Sequence, residues 1–438
     1  MSADVADISA DVAVIGAGPA GIAAATRIAE SGRRVVVLDE APQIGGNIWR
    51  HRAGAELSPD ARRWMDRLAG TRAVVWTGAS VVDVRSVDGA TGFLLTAERG
   101  RAACRVHAET LVLATGARER FVPFPGWTLP NVYGVGGAQA LLKSGVSFAG
   151  KRVVIAGSGP LLLPVAASLS RNGAHVVLVA EQASLRAVMR FGLGLWRRPQ
   201  SLLQAVRYRA DFLRTPYTTG TWVASARGAR AVEAVTVTNG RTARAIACDI
   251  LCCAQGLMPN TELARLLGCV IERGAVVVDD HQQTSQARVY CVGESTGVGG
   301  VDLALVEGEL AGLAAAGSTV DVELLRYRRA PLSRIAAQMA HAFALRDELR
   351  SVVTSDTIVC RCEDVAAASL DPRWSMRQAK LYTRVGMGPC QGRVCGGALE
   401  FLHGWSPDAV RIPNEPALLS TILAGSADMS ADSRNQGA

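Results

Sequence analysis

The sequence predicts an α/β fold with two dinucleotide-binding domains, followed by a small α-rich domain that carries cysteines. Two observations indicate the paired domains. An apolar strand, a glycine turn, a helix and a second apolar strand occur at 11–39, and the same order returns at 151–180. The third observation is a set of four cysteines between residues 360 and 395, which indicates a separate C-terminal domain.

The chain length and these repeats predict the domain limits. Apolar strands near 110–114 and 289–292 are expected where the chain passes between the two large domains. A helical, arginine-rich segment interrupts the second domain, and a polar tail ends the chain. The predicted parts are a first domain at 1–145 and 281–320, a second at 146–280 with a basic helical insertion at 185–214, linker helices at 321–354, the cysteine-bearing domain at 355–425 and a disordered tail at 426–438.

Composition excludes several classes of protein. Apolar residues make up 49% and charged residues 20% of the chain, as in folded globular proteins. The net charge of +8 comes from scattered arginines without interleaved aromatics, so no nucleic-acid partner is expected. The acidic N-terminus lacks a signal pattern, and the longest apolar stretch, 153–169, is too short and too broken for a membrane span. A cytoplasmic location is expected, where ten cysteines favour metal or redox roles.

The first glycine turn, Gly16-x-Gly18-x-x-Gly21, directly follows a strand. In such a motif one glycine makes the tight turn, the next admits a pyrophosphate, and the third lets helix and strand approach. The helix N-terminus favours the phosphate charge. Asp39 closes the next strand at the distance expected for a ribose contact, and Glu40 follows it as a further candidate. The motif predicts a dinucleotide site.

Three further elements resemble those of FAD enzymes of the glutathione-reductase type, in the same order. They are a glycine pair soon after the acid, an Ala-Thr-Gly element at the domain crossover, and a Val-Gly-Glu turn before a glycine-rich helix start. In that family the last acid is usually Asp and contacts the ribityl chain, so a glutamate is a mild departure. The resemblance implies noncovalently bound FAD, with Gly45, Gly46, Thr115, Gly116, Gly293 and Glu294 as further binding residues.

The second glycine turn, Gly157-x-Gly159-x-x-Leu162, departs from the pattern at its third position. Leu162 replaces the small residue that normally lets the helix approach its strand, and the turn is unusually apolar for reversible NAD(P)H binding. Glu181 lies near the expected ribose position. Gly157, Gly159 and Glu181 are the candidate residues for three open alternatives. These are NAD(P)H oxidation, an adenine nucleotide bound without hydride transfer, and an empty remnant.

A redox dithiol beside the flavin is not expected, because no CxxC motif lies near either glycine turn. Cys252 and Cys253 are adjacent on a predicted strand, so their side chains should point to opposite faces. We therefore interpret them as buried core residues.

The C-terminal cysteines form a C-x-C pair, Cys360 and Cys362, and a C-x4-C pair, Cys390 and Cys395. Four thiolates of this kind indicate zinc or an iron–sulfur cluster. Zinc usually prefers other spacings and often uses histidine, and only His403 is nearby. The pattern resembles the bacterioferritin-associated ferredoxin domain, which implies a 2Fe–2S cluster held by all four cysteines.

Almost the whole chain resembles the alpha-subunit family of opine oxidases, D-hydroxyproline and proline dehydrogenases, and hydrogen cyanide synthase. This resemblance implies a relay subunit that carries electrons away from an amine-oxidising beta subunit of the glycine-oxidase type. Some members also contain a small ferredoxin-like gamma subunit, and such a complex would be peripheral to the inner membrane. The stretches that carry the resemblance are ATGARERFVPFPGWTLPNV, GSGPLLLPVA, GVGGVDLALVEGELAG, CRCEDV and GMGPCQGRVC.

Two other functions stay open: a self-contained NAD(P)H-dependent reductase with the cluster as its electron exit, and an iron–sulfur assembly or structural module. The six histidines are scattered, and no amine-oxidising constellation can be assembled from the motifs, so the isolated chain should not oxidise substrate. The segment 185–214 combines Trp and Arg, which are enriched at protein interfaces, and is predicted to contact a partner subunit, with Arg197 and Arg198 at its centre. A surface helix pair without a partner is the alternative.

Overall fold

The computed structural model describes residues 6–52, 54, 56–87, 92–406 and 410–426, without the side chain of Arg197. Beyond Ser426, the predicted disordered tail lies outside the described residues. The chain divides into two compact units. Unit 1 is drawn from Met1–Arg118, Pro259–Ala336 and Ala409–Ala438, and unit 2 from Glu119–Met258 and Ala337–Asp408. The finer division predicted above, with the cysteine-bearing segment as a separate domain, stays a prediction.

Both units contain strands and helices, with runs of successive strands at 74–134 and 217–259. The strands are β1 (Ala6–Ile15), β2 (Val35–Asp39), β3 (Val74–Thr77), β4 (Ala79–Ser86), β5 (Phe93–Arg99), β6 (Ala102–Leu113), β7 (Ala117–Glu119), β8 (Val132–Gly134), β9 (Arg152–Gly157), β10 (His175–Glu181), β11 (Tyr217–Thr219), β12 (Trp222–Arg227), β13 (Ala234–Thr238), β14 (Ala243–Ala247), β15 (Ile250–Ala254), β16 (Leu257–Pro259), β17 (Ile271–Glu272), β18 (Ala275–Val276), β19 (Val289–Cys291), β20 (Ile358–Cys360) and β21 (Val365–Ala366). The helices are α1 (Pro19–Glu30), α2 (Pro59–Ala69), α3 (Val135–Lys143), α4 (Leu162–Arg171), α5 (Leu185–Gly194), α6 (Pro199–Ala210), α7 (Glu262–Leu266), α8 (Val301–Ala315), α9 (Val322–Ala342), α10 (Met376–Thr383), α11 (Cys395–His403) and α12 (Leu419–Ser426).

Unit 1 is built on a sheet in the order β3-β2-β1-β6-β5-β4, with β19 also paired to β6. The strands β3, β2, β1, β6 and β19 are parallel, whereas β5 pairs antiparallel with both of its neighbours, β6 and β4. Successive residues of β1 enter opposite cores: Val12 and Val14 pack on one face, and Ala13 and Ile15 on the other. Both faces of the sheet are therefore covered, as expected for a dinucleotide-binding fold.

Small residues allow two helices of unit 1 to pack closely. A side chain at Gly308 would meet the backbone of Ala20, and one at Gly312 would meet Ala24. The helices α1 and α8 can therefore approach each other at these positions, beside the glycine turn that begins α1. The abundance of alanine and glycine in the sequence has this packing role in unit 1.

Unit 2 contains a parallel sheet in the order β11-β10-β9-β15-β8 and an antiparallel sheet in the order β12-β13-β14. The order strand, glycine turn, helix and strand seen in unit 1 is repeated here by β9, the second glycine turn, α4 and β10. The paired α/β dinucleotide-binding fold predicted from the sequence is thus confirmed. Within the described part of the chain, no helix combines the length and the apolar run needed to cross a bilayer.

The cysteine-bearing segment lies in unit 2 and has its own small core. The hairpin β20–β21 and the helices α10 and α11 enclose Val359, Leu370, Met376, Leu399 and Trp405 together with two of the cysteines. Trp127 donates from Nε1 to the carbonyl oxygen of Ile358 at 2.6 Å, so the segment is attached to the rest of unit 2 at β20.

Candidate functional site

Different physical constraints apply to the three glycines of the first turn. A Cβ atom at Gly16, whose φ is +104°, would collide with the carbonyl oxygen of Ala114, and one at Gly21 would collide with the carbonyl oxygen of Gly16. Gly18 has an ordinary φ of −72°, and its nearest protein neighbour would lie 4.0 Å from a Cβ. No protein atom therefore requires glycine at position 18, whereas a phosphate group approaching the backbone would.

The first turn of α1 leaves backbone donors for such a group. Its N-cap is Gly18, no side chain caps the helix, and Pro19 occupies the first helical position. Because the first N–H groups of a helix lack partners inside the helix, they can donate to an anion.

Asp39 ends β2 directly beside this turn. It is 8% exposed, and its carboxylate accepts from the N–H of Ala17 at 2.5 Å and from the N–H of Ala41 at 2.7 Å. Burial raises the pKa of this carboxyl, while the two backbone donors oppose the rise. The Asp39 carboxylate therefore holds the backbone of the turn in place, and it lies at the position expected for a ribose contact. Glu40, the next residue, is exposed.

The glycine pair after the acid lies against the same turn. Gly45 donates to the carbonyl oxygen of Ala17 at 2.7 Å, and a Cβ at Gly46, whose φ is +57°, would approach the Cα of Gly18 to 2.9 Å. The structure thus brings Gly16, Gly18, Gly21, Asp39, Gly45 and Gly46 together at one end of β1 and β2.

Thr115 and Gly116 follow β6 and are fixed by two residues that sequence reasoning missed. Thr115 donates to the carbonyl oxygen of Asn260 at 2.7 Å and lies 3.0 Å from the hydroxyl of Ser295. Asn260 returns a bond to the carbonyl oxygen of Thr115 at 2.8 Å. Arg118 binds the Asn260 side chain in turn. The asparagine that directly follows β16 was the available sequence signal for Asn260.

The Val-Gly-Glu turn is held by a buried acid, Glu307, that sequence reasoning also missed. Glu307 is 3% exposed and accepts from the N–H of Gly293 at 3.1 Å, while Arg329 binds its other oxygen at 3.1 Å. Glu294 itself is partly buried. Burial raises the pKa of the Glu294 carboxyl, and among the described residues no hydrogen bond offsets the rise. A carboxyl left in this state fits a ligand that supplies hydroxyl groups.

These residues of unit 1 fit FAD. Protein packing alone does not explain three features of this site. They are the room above Gly18, the uncapped first turn of α1, and the carboxyl of Glu294, to which the described residues supply no donor. They match the needs of a pyrophosphate and of a hydroxyl-bearing chain.

The second turn, in unit 2, reproduces the acid of the first. Glu181 ends β10 and accepts from the N–H of Gly159 at 2.8 Å and from the N–H of Ala183 at 2.7 Å. The bond with Ala183 corresponds to that of Asp39 with Ala41, whereas the bond to the glycine turn is shifted by one position, from the middle residue of the turn to its second glycine. Glu181 is fully buried, and burial raises the pKa of its carboxyl from 4.5 to about 7. The structure therefore brings the three candidate residues Gly157, Gly159 and Glu181 together.

The chain itself covers this second turn. The hydroxyl of Ser158, between the two glycines, donates to the carbonyl oxygen of Phe343 at 2.8 Å. Gln182, directly after Glu181, donates to the carbonyl oxygen of Ala344 at 2.9 Å and accepts from the N–H of Arg346 at 3.1 Å. The Phe343 ring lies 3.8 Å from the position of a Cβ on Gly159. We call 343–346 the covering segment.

The covering segment is itself fixed by aromatic contacts. The ring of Phe343 meets that of Phe191 edge-on at 5.1 Å, and the guanidinium of Arg346 lies 4.8 Å from the ring centre of Trp222. A nucleotide bound at this turn would have to displace these contacts. Leu162 is also completely buried at the start of α4. The polar groups of the second turn are thus engaged by protein.

The four C-terminal cysteines converge as two pairs. The thiols of Cys360 and Cys395 are hydrogen-bonded to each other, and so are those of Cys362 and Cys390. Cys360 and Cys395 are buried, Cys390 is partly buried and Cys362 is exposed. The second pair stands at the protein surface.

The loop around Cys390 supplies backbone donors to sulfur. Burial acts to raise the pKa of the Cys390 thiol, but the N–H groups of Val394, Gly392 and Arg393 lower it. The N–H of Arg393 also donates to the carbonyl oxygen of Cys390 at 2.9 Å. A side chain at Gly388 would collide with the Cβ of Cys362, which explains the glycine before Cys390. Backbone N–H groups directed at a sulfur stabilise a thiolate.

Among the described residues, no group of three or more His, Cys, Asp or Glu side chains is arranged to hold a metal ion. The four thiols also lie near one another across the two pairs, and together they supply the two thiolates that each iron of a 2Fe–2S cluster requires. Four thiolates could also hold a single zinc ion. The donor chemistry fits a 2Fe–2S cluster.

The other cysteines are buried in the cores. Cys252 packs on one face of the second sheet and Cys253 on the other, as their positions on a strand predicted. Burial raises the pKa of the Cys252 thiol to about 12, which leaves it protonated at neutral pH. These cysteines have the packing role predicted for them.

Comparison with known proteins adds a family. Residues 10–317 match the pyridine nucleotide-disulphide oxidoreductase family. An opine oxidase subunit of Rhizobium meliloti is 31% identical over 89% of this chain and 81% of its own length. Hydrogen cyanide synthase subunit HcnB of Pseudomonas protegens is 32% identical over 89% of this chain and 91% of its own length.

A solved structure shows the same fold. L-proline dehydrogenase from P. horikoshii superposes with a TM-score of 0.68 over 96% of this chain and 80% of that chain, at 19% sequence identity. At this identity the likeness concerns the fold, and it includes the part of the chain that follows residue 317.

Proposed function

Because the chain belongs to the pyridine nucleotide-disulphide oxidoreductase family and is related along nearly its full length to opine oxidase subunits, we propose that it is the electron-transferring subunit of a heteromeric enzyme that oxidises amines or amino acids. It would receive electrons from a partner flavoprotein of the glycine-oxidase type and deliver them to an acceptor. A small ferredoxin-like subunit is a further proposed partner.

Two cofactors are proposed. Family membership supports FAD, which Gly18, the first turn of α1 and Glu294 would hold in unit 1, with Asp39 and Glu40 at the ribose end. The paired thiols of the C-terminal segment would hold a 2Fe–2S cluster. When bound, FAD exchanges one or two electrons and the cluster exchanges one.

The observation that supports a relay, rather than a reductase fed by NAD(P)H, is the covering segment. A hydride donor must place its nicotinamide beside the flavin, and in this fold its adenosine and phosphates are held by the second turn. In this chain Ser158 and Gln182 are bonded to backbone groups of Phe343, Ala344 and Arg346 instead. We infer that electrons enter from a partner subunit.

The first experiment distinguishes the two sources of electrons. Purified full-length chain with its flavin and iron would be mixed anaerobically with NADH or with dithionite, and the flavin absorbance would be followed. Dithionite should bleach the flavin, whereas NADH should leave it oxidised over the time of catalysis. Rapid bleaching by NADH or NADPH would instead establish a self-contained reductase.

The second experiment tests the relay. The chain would be assayed with proline, glycine and opines, alone and after coexpression with a glycine-oxidase-like subunit. Turnover with an artificial acceptor should require both subunits, because no amine-oxidising constellation can be assembled from the motifs of this chain. Robust oxidation of an amine by the isolated chain would contradict the proposal.

A further inference from the structure

The helices α5 and α6 stand on the outside of unit 2. Neither contains a buried residue. Their inner sides are attached to the unit: Phe191 of α5 meets Phe343, and Tyr208 of α6 packs against the core that contains α4. The opposite sides of both helices are therefore turned away from the protein.

The outward side of α5, and of the single 3-10 turn Leu195–Arg197 that follows it, carries an apolar stripe. Leu185, Met189, Leu193 and Trp196 follow one another at intervals of three or four residues, and their exposed fractions are 59%, 57%, 71% and 68%. Side chains at this spacing share one face of a helix.

The outward side of α6 and of the turn that follows it repeats the pattern. Leu203, Val206 and Leu213 lie at intervals of three and seven residues, and their exposed fractions are 51%, 65% and 66%. Large aliphatic side chains exposed on two successive helices are unusual for a surface that faces only water.

Exposed arginines flank both stripes. Arg186 and Arg190 each follow a stripe residue of α5 by one position, and Arg207 and Arg214 do the same beside Val206 and Leu213. The segment 185–214 contains one acidic residue, Asp211, and its carboxylate is paired with Arg171 at 2.9 Å. The outward face is thus apolar along its centre and positive at its edge.

We propose that this face binds an anionic phospholipid surface. Interfacial helices place Leu, Trp and similar side chains in the acyl boundary and Arg or Lys at the headgroups, which is the distribution observed here. Protein interfaces are also enriched in Trp and Arg, but the free charge beside these stripes is of one sign, since Asp211, the single acidic residue of 185–214, is paired with Arg171. Four exposed arginines beside an apolar stripe complement a negatively charged bilayer better than they complement an apolar protein patch.

The test uses the full-length chain and flotation with vesicles of phosphatidylcholine, alone or mixed with phosphatidylglycerol. Wild-type protein should float with the anionic vesicles, and added salt should weaken the binding. Arg186→Glu/Arg190→Glu should reduce the partition coefficient by about thirtyfold or more, since loss of each arginine near the surface costs roughly fivefold and the introduced carboxylates are repelled by the anionic lipid. Arg186→Lys/Arg190→Lys should retain binding.

Matched variants separate this surface from general effects. Leu193→Asp/Trp196→Asp should abolish flotation, whereas Leu324→Asp, at a residue of α9 that is 57% exposed, should not. Arg241→Glu/Arg244→Glu, at exposed positions beside and within β14, is the matched charge control. Equal FAD content and circular dichroism would show that the variants fold.

Two results would overturn the proposal. One is wild-type protein that floats with neither kind of vesicle. The other is unchanged flotation in the α5 variants together with loss of a copurifying subunit, which would make this face a protein contact, as the sequence alone suggested.

Discussion

The side-chain amide of Gln182 donates from Nε2 to the carbonyl oxygen of Ala344 at 2.9 Å, across 162 positions of sequence. Gln182 follows the acid at the end of β10, where a nucleotide-binding domain usually meets the ribose of its ligand. The amide is 1% exposed and also accepts from the N–H of Arg346. One side chain therefore satisfies two backbone groups of the covering segment at the edge where NAD(P)H would be expected.

Replacing Gln182 should loosen the covering segment. In Gln182→Leu the carbonyl of Ala344 and the N–H of Arg346 lose their partner, at a cost of about 1–3 kcal/mol for each buried group that stays unsatisfied. Hydrogen exchange followed by mass spectrometry should show faster exchange at 343–346, and urea unfolding should show reduced stability.

The control for this variant is Gln200→Leu, at an exposed glutamine at the start of α6. It should leave exchange in the covering segment unchanged. If Gln182→Leu also exchanges at the wild-type rate, other contacts hold the segment and Gln182 does not.

Replacing Gly18 should remove FAD without disturbing the fold. A Cβ at Gly18 has room within the protein, so Gly18→Val should fold, but its side chain would occupy the space of the pyrophosphate. The flavin released by denaturation should be far below one per chain. Gly192→Val is the matched control, because Gly192 also has no protein atom within 4 Å of its Cβ. A full complement of flavin in Gly18→Val would contradict the assignment.

The fold could be predicted because its evidence is local. Gly16 has the positive φ of the turn itself, and Gly21 packs against the carbonyl oxygen of Gly16, so both requirements arise inside one strand–turn–helix unit and appear directly in the spacing of the motif. The opposite orientations of Cys252 and Cys253 follow from strand geometry and were also predictable.

Contacts between distant segments could not be predicted in this way. No residue near Gln182 in the sequence indicates that it binds Ala344. Likewise, no residue near Gly293 indicates that its N–H donates to Glu307, which lies on the following helix α8. The outward orientation of Leu193 and Trp196 could not be predicted either. An amphipathic pattern defines an apolar face of a helix but does not show whether the protein covers that face.

The buried acid at the second turn should make stability fall as pH rises. Burial raises the pKa of Glu181 from 4.5 to about 7, although the N–H groups of Ala183 and Gly159 oppose the rise. Between these values the folded chain holds a proton that the unfolded chain has lost. The free energy of unfolding should therefore decrease by as much as about 3 kcal/mol from below pH 4.5 to above pH 7.

Comparison with Glu181→Gln isolates this contribution. Glutamine keeps a similar shape and cannot ionise, so the difference in unfolding free energy between the two proteins should change with pH across that window. Urea unfolding at several pH values measures this difference. If unfolding free energy changes with pH in the same way in both proteins, Glu181 does not titrate in this pH window.

All four of the paired thiols should be needed to hold the cluster. If each iron takes one of the two pairs, removing any of the four thiols should release the cluster, because a hydroxyl is a poor ligand for it. Anaerobically purified wild-type chain should contain about two irons and two acid-labile sulfides. Cys390→Ser and Cys395→Ser, one from each pair, should lose the iron and the visible charge-transfer bands yet keep their flavin, since the FAD residues belong to unit 1. Cys269→Ser, at a buried thiol 3.5 Å from the hydroxyl of Thr284, should keep both cofactors. One zinc per chain, with no iron in the anaerobic preparation, would exclude the cluster.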